Sequence, residues 1–156
     1  MKDNFYTVFN KLVKDEKVSK NKLSNETGIA RKSITSYLNG NSIPRYDNLS
    51  KIADYFEISS DYLLGLEEFD GLTYKTKCAN KEIPFHFTQI LKNFMSEKGH
   101  SQYALAKILK IEQTTVSKWF NMKTMPDTDI LVKLSQIYKC KVDELICRDI
   151  FISSGN

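Results

Sequence analysis

Apolar residues recur along the chain at the spacing i, i+3, i+4, i+7 and i+8, which places them on one face of an α-helix. Two sets show the full spacing: Phe5, Val8, Phe9, Leu12 and Val13, and Phe87, Ile90, Leu91, Phe94 and Met95. No segment alternates strictly between apolar and polar residues over the length of a strand. The pattern therefore predicts an all-α fold.

The two sets belong to a repeat with an offset of 82 residues. Residues 5–65 align with residues 87–147 without a gap, and 11 of the 61 aligned positions are identical. Chance alone would give roughly four identities at ordinary composition. The repeat predicts two copies of one small domain, at residues 1–66 and 86–156, joined by a linker at residues 67–85.

Each copy is expected to fold into five helices. Ser19 and Ser101 stand where an N-cap would begin the second helix. The third helix is expected over residues 30–39 and 112–121, and Gly40 would end the first of these. A proline, Pro44 or Pro126, precedes the fourth helix, and the fifth follows residues 60–61 and 142–143.

The predicted linker is polar and carries no helical stripe. It contains Gly71 and Pro84, which favour turns over regular structure. Its apolar residues Phe69, Leu72 and Tyr74 are expected to dock on the surface of a domain.

The composition and charge of the chain exclude some classes of protein. The chain is 41% hydrophobic and 27% charged, which excludes a disordered chain and a membrane protein. Lys and Arg outnumber Asp and Glu by 23 to 19, a mild basic excess compatible with a polyanionic partner.

The sparse cysteines and histidines predict neither a metal site nor catalysis. The three cysteines form no C-x-x-C motif, and the two histidines, His86 and His100, have no Ser or Cys motif around them. No phosphate-binding glycine loop is present. We expect a cytoplasmic protein with reduced thiols that has no cofactor and is not an enzyme.

Within each copy, two short helices joined by a tight turn form the kind of unit that enters a DNA major groove. The segments are SKNKLSNETGIARKSITSYLNGNSIPR and SQYALAKILKIEQTTVSKWFNMKTMPD. Both resemble the Cro/cI-type (XRE) family of DNA-binding domains, and YDNLSKIADYFEISSDYLLG continues the resemblance in the first copy. The resemblance implies two tandem lambda-repressor-like helix-turn-helix domains that bind double-stranded DNA.

The resemblance also implies which residues would contact DNA. Base edges would be read by Arg31, Lys32 and Ser36 in the first copy and by Gln113, Thr114 and Lys118 in the second. Phosphates would be contacted by Lys20, Asn39 and Arg45, and by Gln102, Asn121 and Lys123. The chemistry agrees, because Arg and Lys suit guanine O6 and N7 while Gln can bond adenine N6 and N7.

The core and the charge pattern support this assignment in the first copy. Ile34, Tyr37, Val116 and Trp119 fall on the opposite helix face and are expected in the core. Residues 17–45 hold six basic groups and one acidic group, whereas residues 1–68 hold ten of each sign. Positive charge is therefore concentrated on the unit that would meet phosphate.

The second copy departs from the family pattern. Lys110 replaces the glycine of the turn, Met122 replaces the glycine that ends the recognition helix, and residues 99–127 carry a net charge of only +2. Phe120, Met122 and Met125 would form an exposed apolar cluster, which suggests a contact with another domain or chain.

The function indicated is a sequence-specific transcriptional regulator that acts as a repressor by occupying DNA. Two arrangements stay open: a pseudo-dimer within one chain that reads an asymmetric site, and a homodimer that reads a palindrome. The alternative function is a protein-interaction module, or a phage or mobile-element regulator, whose helix-turn-helix surface binds a protein.

Overall fold

The fold is seen in a computed structural model, which describes residues 2–152, with side chains from residue 4 onwards. The chain forms two compact units, and the first unit is built from two separate stretches of the sequence. The first unit combines residues up to Thr76 with residues from Arg148 onwards, and the second comprises Lys77–Cys147. The chain therefore passes from the first unit to the second and back again.

Five helices and a two-stranded sheet make up the first unit. They are α1 Lys2–Asp15, α2 Lys20–Thr27, α3 Arg31–Leu38, α4 Tyr46–Phe56, α5 Ser60–Leu63, β1 Tyr74–Thr76 and β2 Arg148–Ile150.

The second unit repeats the five helices after a short 3-10 helix, Asn80–Glu82. They are α6 Ile83–Lys98, α7 Gln102–Leu109, α8 Gln113–Phe120, α9 Thr128–Ile137 and α10 Val142–Leu145. The last four begin at positions offset by 82 residues from their counterparts, as the repeat predicted. The prediction of a helical fold with two tandem domains is confirmed.

Both units have a pair of aromatic residues at equivalent positions in the core. The rings of Phe5 and Tyr37 meet edge to face with centroids 6.2 Å apart, and those of Phe87 and Trp119 do so at 6.1 Å. Trp119 is 2% exposed. The expectation that the third helix of each copy turns its aromatic residue inwards is therefore confirmed.

The backbone repeats more closely than the sequence does. Left-handed conformations recur at offset positions in both units: Lys17 and Gly99, Gly28 and Lys110, Gly40 and Met122, Glu57 and Lys139, and Gly65 and Cys147. Lys110 ends α7 with φ 58°, where Gly28 ends α2 with φ 77°. A residue with a Cβ atom is strained in this conformation, so the second unit contains strain that glycine avoids in the first.

Replacing Lys110 by Gly should therefore stabilise the second unit. We expect the free energy of unfolding to rise by up to about 1 kcal/mol, because glycine adopts positive φ without steric cost. Trp119, the single tryptophan of the chain, is buried in this unit, so its fluorescence in a urea titration measures the effect. Lys110→Ala is the matched control: an equal gain in that variant would show that the charge of Lys110, and not its backbone conformation, is responsible.

The two strands form a small antiparallel sheet from distant parts of the chain. Tyr74 pairs with Ile150, and Thr76 pairs with Arg148. The N–H of Phe151 donates to the carbonyl of Thr73 at 2.7 Å and extends the pairing. The last described residues of the chain thus complete the first unit.

Arg148 anchors this sheet to the helices of the first unit. Its side chain is buried, and both Nε and Nη2 donate to Oδ1 of Asp54, at 3.1 and 2.9 Å. The guanidinium also donates to the Ser60 hydroxyl at 3.1 Å and to the Ile58 carbonyl at 2.9 Å. Asp54 in turn accepts the N–H and the hydroxyl of Thr76. One ion pair therefore joins α4, the start of α5 and both strands.

The structure divides the chain differently from the predicted bounds. Residues 67–85, predicted as a linker, contain β1, the 3-10 helix and the first turn of α6. Pro84 lies in that first turn, where its missing N–H costs nothing, and so it helps to begin the helix. Of the apolar residues expected to dock, Tyr74 is buried, whereas Phe69 and Leu72 are 60% and 43% exposed.

Candidate nucleic-acid interface

The helix-turn-helix of the first unit is formed by α2 and α3. Ser19 caps α2 by accepting the N–H of Lys22 at 3.1 Å, as predicted, and Gly28 ends the helix. On α3, Ile34 and Tyr37 are buried. The opposite face of α3 is therefore turned towards solvent and is available to a ligand.

Two polar contacts fix the position of α3. The hydroxyl of Ser24, on α2, donates to the carbonyl of Ile29 at 2.6 Å and braces the turn. The side-chain amide of Asn10, on α1, donates to the carbonyl of Leu38 at 3.1 Å. Both ends of the candidate recognition helix are thus held by neighbouring elements, which favours a rigid reading surface.

Arg31 and Lys32 lie in the first turn of α3, and both are exposed. This is the end of a recognition helix that contacts base edges in helix-turn-helix complexes. Ser36, the third predicted base-reading residue, is half-buried and shares a 2.7 Å hydrogen bond with the Ser42 hydroxyl. Its hydroxyl is thus already oriented by a contact that sequence reasoning missed.

A notch of about 450 Å³ lies beside α3, between its exposed face and the start of α4. It is lined by Lys32, Ser33, Ser36, Tyr37, Ser42, Ile43, Arg45, Asp47 and Asn48. Ser33, Ser42 and Asn48 had not been predicted as site residues, although their short polar side chains flank the predicted cations in sequence. The notch adds neutral hydrogen-bonding groups to the basic face.

Tyr37 supplies one of these groups as a neutral phenol. Its hydroxyl accepts the side-chain N–H of Asn48 at 3.0 Å. Burial raises the pKa of Tyr37 above its ordinary value; the Asn48 hydrogen bond lowers it, and the nearby Asp47 carboxylate raises it further. The charged groups of the notch are therefore Lys32, Arg45 and Asp47.

The residues predicted to contact phosphate in the first unit are all exposed. Lys20 begins α2, Asn39 follows α3, and Arg45 precedes α4. Each thus stands at the end of a helix that borders the reading face.

The second unit has equivalent helices, but different side chains stand at its predicted DNA-contacting positions. Gln113, Thr114 and Lys118 are exposed on α8, as are Asn121 and Lys123 after it. Gln102, at the start of α7, is half-buried, and its Oε1 accepts the hydroxyl of Ser117 at 3.2 Å. This contact joins α7 to α8 and leaves the amide N–H groups of Gln102 to donate elsewhere.

The largest difference between the two faces is a reversal of charge. Asp127 occupies the position of Arg45, and its carboxylate caps α9 by accepting the N–H of Ile130 at 3.1 Å. A carboxylate at a position where the first unit has a guanidinium would repel phosphate.

The predicted apolar cluster of the second unit is only partly exposed. Met122 is 51% exposed, Phe120 is half-buried and Met125 is 6% exposed. Met125 belongs to the core of the second unit. The expectation of an exposed three-residue cluster is therefore wrong for Met125.

Within the described part of the chain, no group of three or more His, Cys, Asp and Glu residues is placed to hold a metal ion. No helix in residues 2–152 is long and apolar enough to cross a membrane.

Comparison with protein families agrees with this geometry. Residues 8–68 match a family model described as "Helix-turn-helix domain", and residues 91–145 match one described as "Helix-turn-helix". No curated protein and no solved structure gave a match. Each unit thus contributes one matched domain, and the chain contains two Cro/cI-type helix-turn-helix domains in tandem.

Proposed function

We propose that the chain is a sequence-specific DNA-binding regulator that represses transcription by occupying its site. The observation that carries the proposal is the exposure of Arg31 and Lys32 on the first turn of α3, the other face of which is buried in the core. A helix held in this way can place both cations in a major groove.

In this proposal the first unit supplies most of the affinity. Arg31 and Lys32 donate to guanine O6 and N7, and the Ser36 hydroxyl contacts a neighbouring base edge. Lys20, Asn39 and Arg45 bind the flanking phosphates and set the register. The concentration of six basic groups in residues 17–45 supports this role.

The second unit contributes less affinity and a different preference. The side-chain amide of Gln113 donates to adenine N7 and its carbonyl oxygen accepts from the adenine N6 amino group, while Thr114 and Lys118 contact adjacent base edges. Gln102, Asn121 and Lys123 are its phosphate contacts, but Asp127 opposes them. We therefore expect the two halves of a bound site to differ in sequence and in their contribution to binding.

Selection of bound sequences from a random DNA pool tests the proposal directly. A motif with two unlike halves, bound by one chain, supports the pseudo-dimer. A palindrome bound by two chains supports the homodimer. Enrichment of no motif would contradict sequence-specific binding.

Salt dependence separates DNA binding from binding to a protein. With three cationic phosphate contacts, Lys20, Arg45 and Lys123, the observed association constant for the selected DNA should fall with a log–log slope of about −3 as salt is raised. Binding that is almost insensitive to salt would exclude the assigned phosphate contacts. A duplex of scrambled sequence serves as the control for sequence preference.

One observation favours the alternative function for the second unit alone. Tyr103, Ile108 and Met122 are 58%, 47% and 51% exposed on or next to its helix-turn-helix. Exposed apolar side chains of this size fit a protein partner better than phosphate. A second unit that binds protein and a first unit that binds DNA would give a selected motif with one half only.

A further inference from the structure

Two cysteines lie where the chain enters and leaves the second unit. Cys78 is the second residue of that unit, and Cys147 is its last. The strands of the first unit end beside them, since Thr76 pairs with Arg148 in the sheet. The next backbone contact along the ladder is a 2.7 Å hydrogen bond from the N–H of Lys77 to the carbonyl of Cys147.

The backbone turns at Cys147, whose side chain interacts with that of Cys78. Cys147 has φ 63° and occupies the position that Gly65 holds in the first unit. A left-handed residue at the end of a ladder departs from the strand alternation that would point neighbouring side chains to opposite faces. The Cys78 thiol is hydrogen-bonded to that of Cys147, and both residues are half-buried.

We propose that Cys78 and Cys147 form a reversible disulfide that closes a covalent ring around the second unit. Paired backbone at Lys77 and Cys147, together with thiols already in contact, provides the short separation that a disulfide requires. The third cysteine, Cys140, is also half-buried, but it follows α9 and takes no part in this pairing.

The oxidant in the proposal is a low-molecular-weight disulfide, and the reaction proceeds by two thiol–disulfide exchanges. Cys147 loses its proton to water, and its sulfur attacks the external disulfide and releases one thiolate. Cys78 then loses its proton and attacks the Cys147 sulfur, which releases the second thiolate. Two protein thiols are oxidised to one disulfide, and one external disulfide is reduced to two thiols.

The environment of Cys78 supports this order of attack. Burial, the hydrogen bond to Cys147 and the nearby charges of Cys147 and Glu82 together raise the pKa of the Cys78 thiol to about 12, and burial is the largest of these causes. Cys78 is therefore protonated near neutral pH and is suited to react second, once the neighbouring sulfur has become an electrophile.

Oxidation of the full chain by oxidised glutathione tests whether the bond forms. After incubation over a range of ratios of oxidised to reduced glutathione, remaining thiols are alkylated and the peptides are analysed by mass spectrometry. We expect Cys140 to be alkylated and Cys78 to be joined to Cys147. Alkylation of all three cysteines at the most oxidising ratio, or a glutathione adduct that persists on Cys147, would overturn the proposal.

Trp119 fluorescence tests whether the bond closes a ring around the second unit. A disulfide that spans almost the whole unit should raise its melting temperature by about 10 °C or more, and a reductant should reverse the shift. Cys140→Ser should behave as the unchanged protein does, whereas Cys78→Ser should show no shift. A Cys78–Cys147 disulfide that leaves the melting temperature unchanged would overturn the ring closure.

Discussion

Arg148→Met is expected to lower the free energy of unfolding of the first unit by about 3 kcal/mol. The substitution removes the guanidinium that binds Asp54, Ser60 and the carbonyl of Ile58. Those acceptors lose a buried donor, and β2 loses its anchor on α4. Because Asp54 is about one third exposed and keeps its contacts with Thr76, the effect belongs at the lower end of the range for broken buried ion pairs.

Two spectroscopic probes distinguish the units in this experiment. Far-UV circular dichroism follows the helices of both units, whereas Trp119 fluorescence follows the second unit alone. In urea, the variant should show an early transition by circular dichroism that is not seen by fluorescence. Lys75→Met is the matched control, because it removes an ion pair with Glu57 that is exposed on both sides and should change stability by less than about 1 kcal/mol. Equal effects of Arg148→Met and Lys75→Met on the free energy of unfolding would show that the buried network stabilises the unit no more than an exposed ion pair does.

Arg31→Ala is expected to relax base preference at one position of the selected DNA. A bidentate contact to guanine provides about 1–3 kcal/mol of discrimination, so the preference for the correct base should fall by roughly 5-fold to 150-fold. The readout is the relative affinity for four duplexes that differ at that base pair. Unchanged preference would contradict the assigned register of α3.

The chain offers matched controls for this variant. Lys20→Ala should weaken binding to all sequences alike and reduce the salt slope by about one, because Lys20 is assigned to phosphate. Gln113→Ala is the equivalent of Arg31→Ala in the second unit, since the two residues begin α8 and α3. If it relaxes preference at a different base pair, both units read DNA. If Gln113→Ala leaves the base preference unchanged while Arg31→Ala relaxes it, only the first unit reads DNA.

The helices and cores could be predicted from sequence because local patterns determine them. Apolar spacing identifies the buried faces, and Ser19 and Ser101 cap the helices they were expected to cap. The position of Lys110 in a left-handed turn also followed from the repeat, since Gly28 occupies the equivalent place. The assigned DNA contacts of individual residues stay predictions, although those on α3 and α8 lie on exposed helix faces.

The sheet could not be predicted in the same way. Its strands have three residues each, too few to show an alternating pattern, and they lie on either side of an entire domain. The sequence around Arg148 does not indicate that this residue is buried, because its partners on α4 and α5 come from a distant part of the sequence. The notch residue Asn48 was missed for a similar reason, since its contact with Tyr37 depends on the packing of α4 against α3.

The contribution of Arg148 to the first unit determines when that unit can be completed during synthesis. N-terminal domains commonly fold while the rest of the chain is still being translated. Here α1 to α5 emerge early, but the guanidinium that neutralises Asp54 is added only after the whole second unit has been made. A chain that ended within residues 77–147 would have a first unit without this anchor on α4 and α5. If the first unit binds DNA as proposed, stable binding would require translation past Arg148, and products that end before this residue would compete poorly for the proposed site.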